Sequence, residues 1–286
     1  MSSVQKLAII GDPISHALSP KLQNFLIRHF ALPFAYEALQ VRQNELPEMM
    51  QRLRAENFRG LNVTIPHKQA VLSLLDEIDQ TAAKIGAVNT IVVDDGKLCG
   101  HNTDALGFLR NLEAAGIIIA GKNVFVLGAG GAARAVVFTL LNAAAEKVFV
   151  SNRHADRAEA LIAAFKTHVE ARRLQSVPWP DRAVWIKERN VNLVVNATRV
   201  GMHPRDDESP LPNFIFSSQM VAADLVYNPL QTAFLQAASS AGAKSVSGLG
   251  MLIHQGVAAM ELWSGKQFDI REIYSPLEKE LIAALK

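Results

Sequence analysis

Four apolar residues, Val124-Phe125-Val126-Leu127, run straight into Gly128-Ala129-Gly130-Gly131-Ala132-Ala133, and a small-residue helical stretch follows. No other feature constrains the fold as tightly. The hexad fits G-x-G-x-x-A between a strand and a helix. The first glycine permits the tight turn, the second lets a pyrophosphate approach the backbone, and the small sixth residue lets helix and strand pack closely. The helix start then presents unpaired N–H groups and a positive dipole to the phosphates. The residues Gly128, Ala129, Gly130, Gly131 and Ala132 are therefore expected to cradle a dinucleotide.

The end of the next strand sharpens the cofactor. Turns that take NAD usually place Asp or Glu there for the ribose hydroxyls. Here the residues are Ser151-Asn152-Arg153-His154, with Arg157 one helical turn on. Guanidinium groups suit a 2′-phosphate, through charge-assisted and often bidentate hydrogen bonds. The expected cofactor is NADP, with Asn152, Arg153 and Arg157 as its clamp; the bland alternative is a solvated helix face.

The rest of the chain alternates strands and helices. Strands are expected at 7–11, 36–41, 60–65, 124–127, 148–151, 192–196 and 221–225. Helices are expected from Ser19-Pro20, with Ser19 as cap, and at 45–55, 67–78, 81–85, 132–145, 155–166, 251–263 and 270–285. A hairpin turns on Asp95-Gly96. Near-continuously apolar strands separated by helices predict a parallel sheet buried on both faces. The stretch 203–210 is polar and proline-bounded, and reads as a surface loop.

Several classes are excluded or disfavoured. Net charge is +2 over 286 residues with no long basic run, so no nucleic-acid footprint is expected. No segment nears the ~20 apolar residues of a membrane span, and the short run at 7–10 is no signal-peptide core. The single cysteine, Cys99, has neither a disulfide partner nor a metal-binding neighbourhood, so no metal is expected and a cytoplasmic location fits.

A reaction at an alcohol carbon needs a titratable group at the reacting hydroxyl. Lys68 follows the strand-like Asn62-Val63-Thr64-Ile65-Pro66-His67, and Asp104 closes Gly100-His101-Asn102-Thr103-Asp104. On spacing alone, the bland reading of each is favoured: a lysine on a helix face and an aspartate near a helix cap.

Taken together, the motifs resemble the shikimate dehydrogenase family almost end to end. Gly11-Asp12-Pro13-Ile14-Ser15-His16-Ala17-Leu18-Ser19-Pro20 is similar to its carboxylate loop, and Asn62 to Lys68 to its lysine motif. Gly86-Ala87-Val88-Asn89-Thr90 and Gly100 to Asp104 resemble its polar substrate motifs. Asn196-Ala197-Thr198 with Gly201-Met202 resembles the stretch beside the nicotinamide. Asp224-Leu225-Val226-Tyr227-Asn228-Pro229 and Gly248-Leu249-Gly250-Met251-Leu252, with Gln255-Gly256, complete the set.

The resemblance implies reversible reduction of 3-dehydroshikimate to shikimate by NADPH. It implies Lys68 and Asp104 as the catalytic pair, with Asp104 also binding a substrate hydroxyl. Thr64, Asn89 and Gln255 would bind hydroxyls; Ser19 and Tyr227 would lie near the carboxylate. Thr198, Leu225 and Gly248 would join the cofactor residues. It further implies a Rossmann-type doubly wound sheet at 104–247, inserted into a smaller α/β substrate domain at 1–103 that 248–286 completes. The partner is a small cyclic hydroxy acid, and the chain a monomer or homodimer.

One position departs. The family pattern His-Ser-x-Ser-Pro has Ala17 where its first serine stands. A lost hydrogen bond to a charged group costs roughly 1.5–3 kcal/mol. Tyr36 resembles a carboxylate-binding tyrosine of the shikimate/quinate branch that would compensate, and reads equally well as a core-edge strand tyrosine. Ala17 keeps open a quinate/shikimate dehydrogenase or other paralogue acting on a related cyclic hydroxy acid; the rival from another class is a non-catalytic NADP-binding sensor, disfavoured because Lys68 and Asp104 are both present.

Overall fold

The computed structural model describes residues 4–166 and 173–285. The chain divides into two compact units: 1–107 with 252–286, and 108–251. The sequence reading drew these lines at 103/104 and 247/248. Both observed boundaries fall inside helices, which run on past the end of one unit's sheet. The units are nearly equal in length.

The first unit holds β1 (Gln5–Gly11), α1 (Ser19–His29), β2 (Phe34–Gln40), α2 (Leu46–Ala55), β3 (Phe58–Val63), β4 (Glu77–Ile78), α3 (Gln80–Ile85), β5 (Thr90–Asp94) and β6 (Lys97–His101). Its sheet runs β2-β1-β3-β5-β6-β4. The β1, β2 and β3 pairings are parallel, whereas β5 is antiparallel to β3 and β6, so this sheet is mixed. Alternation along the strands sends Ala8, Ile10, Leu61, Val63 and Ile91 into one core with Met49, Met50 and Leu53 of α2.

Helix α4 (Asp104–Ala114) leads toward the second unit. There follow β7 (Asn123–Leu127), α5 (Gly131–Asn142), β8 (Lys147–Ser151), α6 (Ala155–Phe165), β9 (Leu174–Ser176), α7 (Arg182–Glu188), β10 (Leu193–Asn196), β11 (Val221–Asp224), α8 (Ala233–Ser240) and β12 (Lys244–Val246). Helices α9 (Gly248–Ser264) and α10 (Ile270–Ile282) end the chain. The second sheet is parallel throughout, in the order β12-β11-β10-β7-β8-β9. Val124 and Val126 enter one core and Phe125 and Leu127 another, so successive residues of one strand serve both faces. That is the physical content of a doubly wound sheet. The strand order reverses between β7 and β10, and open α/β sheets bind ligands beyond the strand ends at such a point.

Three local expectations are corrected. The segment 67–78 is not a helix. It forms a turn at 66–69, a short 3-10 stretch at Ala70–Leu74 and the two-residue strand β4. The Val88 N–H donates to the Lys68 carbonyl across this turn at 2.8 Å, so tertiary pairing overrides the apolar spacing. Lys68 therefore stands on a braced turn and not on a helix face. Ser19 does not cap α1: Leu18 is the cap residue and no side chain bonds there. The second helix begins at Leu46, preceded by a 3-10 turn at Gln43–Glu45.

Candidate active site

Strand ends, a helix start, a braced turn and the middle of α9 deliver the residues of the first unit's polar cluster. Thr64 directly follows β3, and its backbone N–H donates to the Ile10 carbonyl at 2.9 Å. The Thr64 carbonyl accepts the His67 N–H at 2.9 Å and closes the turn that carries Lys68. His67 is fully buried, with Nε2 2.6 Å from the Val41 carbonyl oxygen, and it ties that turn to the end of β2.

Lys68 Nζ donates to Asp104 Oδ2 at 2.5 Å, and the two side chains are only 13% and 6% exposed. Isolated charges at that depth would be strongly disfavoured; this pair compensates itself and gains further donors. Asn89 supplies them. Its Nδ2 group lies 2.9 Å from Asp104 Oδ1, 2.9 Å from Thr103 Oγ1 and 3.3 Å from Gln255 Oε1. Its Oδ1 accepts the Thr103 N–H at 2.7 Å and the Thr90 hydroxyl at 3.1 Å. Donors on one side and acceptors on the other fix the amide's orientation.

The structure thus brings together Lys68, Asn89, Asp104 and Gln255, all expected from the sequence. It adds Thr90, Thr103 and Asn62, which were not singled out. Asn62 lies buried in β3, where its Nδ2 reaches the Asn89 carbonyl and Thr90 Oγ1, each at 3.2 Å. The signal for it was present: one amide between the buried apolar residues Leu61 and Val63. Tyr36 is buried too, and its hydroxyl donates to Asn62 Oδ1 at 2.6 Å. Burial pushes its pKa well above the ordinary tyrosine value, so the phenol stays protonated. Its one proton is committed to Asn62. Ser19 is buried at the start of α1 with its hydroxyl unused in capping. Ala17 closes a turn onto the Ile14 carbonyl at 3.1 Å. Tyr227 lies in the second unit, half-buried in the loop after β11.

In the second unit the glycine turn leaves β7 at the point where strand order reverses. Gly128 has φ +114°, and a Cβ there would stand 2.8 Å from the Ala197 carbonyl oxygen. The fold itself requires that glycine. Gly130 is different: its φ is −83°, and a Cβ would meet nothing within 4 Å. The chain does not need glycine there; a group approaching the backbone closely does. This open cradle fits a dinucleotide pyrophosphate.

Arg153 and Arg157 are exposed just beyond β8, and neither is paired with a described residue. Asn152 Nδ2 donates to the His154 carbonyl at 2.9 Å and stiffens that corner. Thr198 donates to Asn196 Oδ1 at 2.7 Å beside the Gly128 turn. The Leu225 N–H donates to the Asn196 carbonyl at 2.9 Å. Gly248 packs so close to the Leu225 carbonyl oxygen that a Cβ would come within 2.3 Å of it.

One unforeseen group underpins these strand ends. Asp224 is buried, accepting from Asn196 Nδ2 at 2.9 Å, the Val226 N–H at 2.9 Å and the Thr232 hydroxyl at 2.7 Å. Burial outweighs those donors and raises its pKa from 3.8 to about 7. A carboxyl raised in the folded state binds more protons than in the unfolded chain, so stability falls as pH rises from about 4 to about 7. The full linkage is on the order of 4 kcal/mol. Asp224→Asn should remove that slope, read as urea midpoints between pH 4.5 and 8; an unchanged slope would refute the assignment.

Among the described residues, no group of three or more His, Cys, Asp or Glu could hold a metal ion, and no helix is long and apolar enough to cross a membrane.

Comparison with known proteins supplies the lineage. Residues 9–91 match the shikimate dehydrogenase substrate binding domain, 113–186 the shikimate/quinate 5-dehydrogenase family, and 248–275 the shikimate 5′-dehydrogenase C-terminal domain. The shikimate dehydrogenase (NADP(+)) of Carboxydothermus hydrogenoformans is 43% identical over 263 residues, covering 90% of each chain. That of Moorella thermoacetica is 42% identical over 272 residues, covering 93% of this chain and 90% of its own. The shikimate 5-dehydrogenase of Thermus thermophilus, solved in complex with NADP(H) and shikimate, superposes with a TM-score of 0.85 at 41% identity. That match covers 98% of this chain and 100% of the other. With relatives this similar over nearly its whole length, and with matching domains in the same order, the chain belongs to the shikimate dehydrogenase family.

Proposed function

We propose that this chain is an NADP-dependent shikimate dehydrogenase that interconverts 3-dehydroshikimate and shikimate. The observation that carries the reading is the buried contact between Lys68 Nζ and Asp104 Oδ2 at 2.5 Å, oriented by Asn89. An ammonium held at depth by a carboxylate is what a developing alkoxide needs. Lys68 gives its proton to that oxygen during reduction and takes one from the hydroxyl during oxidation. Asp104 keeps Lys68 in place, and its remaining lone pairs accept a substrate hydroxyl. Thr64, Asn89 and Gln255 complete the hydroxyl contacts, and Ser19 offers its hydroxyl to the carboxylate.

The second unit is the cofactor domain in this reading, and the first the substrate domain. NADPH, when bound, supplies the hydride. Gly128 to Ala132 hold its pyrophosphate, Asn152, Arg153 and Arg157 its 2′-phosphate, and Thr198, Leu225 and Gly248 line the strand ends near its nicotinamide.

The test is a spectrophotometric screen of shikimate and quinate with NADP and NAD. Turnover of shikimate with a strong NADP preference is expected. Turnover of quinate in its place would move the substrate to the quinate branch. Binding of NADPH without turnover of any cyclic hydroxy acid would make the chain a sensor.

Ala17 gives a second measurement. Tyr36 gives its proton to Asn62 in the resting site, which supports reading Ala17 as an uncompensated loss. Ala17→Ser should lower the KM for shikimate by roughly tenfold, the worth of one hydrogen bond to a charged group. An unchanged KM would show that another donor already serves the carboxylate.

A further inference from the structure

Helix α5 carries a cation that no described residue claims. The Arg134 N–H donates to the Gly130 carbonyl at 3.0 Å, which sets Arg134 one helical turn beyond Gly130. Residues three and four apart share a helix face, and side chains lean toward the helix start. An arginine at this position has a stem that leans back toward the turn of Gly130 and Gly131.

Its surroundings do not satisfy it. Nε is buried and has no hydrogen-bond partner, and the guanidinium makes no ion pair with a described residue. Burial alone draws its pKa below the ordinary arginine value, with no carboxylate acting against that. A half-buried charge without a counter-ion is costly. One turn back along the helix, a Cβ at Gly130 would meet nothing within 4 Å, so the cradle there is open. A cation without a counter-ion and an open cradle thus stand one helical turn apart.

We propose that Arg134 contacts the pyrophosphate of the bound dinucleotide and adds a side-chain cation to the N–H groups of the glycine turn. The proposal rests on the reading that this chain binds NADP. It separates two kinds of arginine in one site. Arg153 and Arg157 read the 2′-phosphate, which only NADP carries. Arg134 reads the pyrophosphate, which NADP and NAD share.

The experiment measures equilibrium binding of NADPH, NADH and adenosine 2′-monophosphate, which lacks a pyrophosphate, by calorimetry. The proteins are the full-length wild type, Arg134→Gln, Arg134→Lys and Arg153→Ala. For Arg134→Gln, Kd should rise by about tenfold to a hundredfold for NADPH and by the same factor for NADH. Binding of adenosine 2′-monophosphate should not change, and Arg134→Lys should recover part of the loss. Arg153→Ala should show the opposite pattern, weakening NADPH and adenosine 2′-monophosphate but not NADH. The melting temperature of Arg134→Gln without nucleotide should equal or exceed that of the wild type. Wild-type affinity for NADPH in Arg134→Gln, or an equal loss for adenosine 2′-monophosphate, overturns the proposal. A wild type that takes up neither NADPH nor NADH overturns the cofactor reading beneath it, a result distinct from both.

Discussion

Lys68→Ala should lower kcat for shikimate oxidation by about two to four orders of magnitude, the usual worth of a positioned acid–base group. KM should change by only a few-fold. The reason is in the contacts. Lys68 bonds Asp104 in the resting site. In the proposed reading, removing it deletes the proton carrier, while Thr64, Asn89, Gln255 and Ser19 would still hold the substrate. An interaction that matters only as the bond changes shows in kcat. The variant also leaves Asp104 buried with Asn89 as its remaining donor from the cluster, so a lower melting temperature is expected alongside. Steady-state kinetics at a temperature where the variant is folded separates the two effects. A kcat within tenfold of wild type would remove Lys68 from the chemistry.

The second large effect divides the glycine turn into a structural and a binding half. Gly128→Ala must place a methyl group at φ +114° against the Ala197 carbonyl. Strain of that kind costs about 1–3 kcal/mol before the clash with fixed backbone is counted. A fall in melting temperature of at least roughly 2–4 °C is expected. Gly130→Ala meets no such obstacle, and its stability should stay within about 1 kcal/mol of wild type. Yet its methyl group enters the open cradle, and NADPH affinity should fall by tenfold or more. Thermal melts and NADPH titrations on the two variants give a crossed pattern. A Gly130→Ala protein that binds NADPH normally would contradict the turn's assignment.

Much of this was legible in the sequence, and for identifiable reasons. Strands β7, β8, β10 and β11 are short, largely apolar runs, and helices follow β7 and β8, so periodicity and punctuation agree there; β9 and β12, short and partly exposed, carried no such signal. The glycine turn announces itself because the backbone there adopts a conformation that few residues tolerate. The segment 67–78 misled because its apolar spacing suits a helix, while the pairing of Val88 with the Lys68 carbonyl holds a turn. Ser19 misled in a related way, since a serine before a proline usually caps. Asn62 and Asp224 were passed over because each is a polar residue beside buried apolar neighbours, and its partners, such as Tyr36 for Asn62 and Asn196 for Asp224, come from strands distant in sequence. Arg134 looked like ordinary helix composition; only its empty surroundings distinguish it.

The hydrogen-bond directions around Asp104 carry one more consequence. Lys68 and Asn89 both give protons to it, so the carboxylate is where that chain of donation ends. Whatever docks on its free lone pairs must bring a proton of its own. In the proposed reading a ligand with a hydroxyl at that position is favoured, whereas its ketone or methyl ether presents lone pairs or carbon to a buried anion. The site would then discriminate among rings of similar shape by the presence of one hydrogen atom.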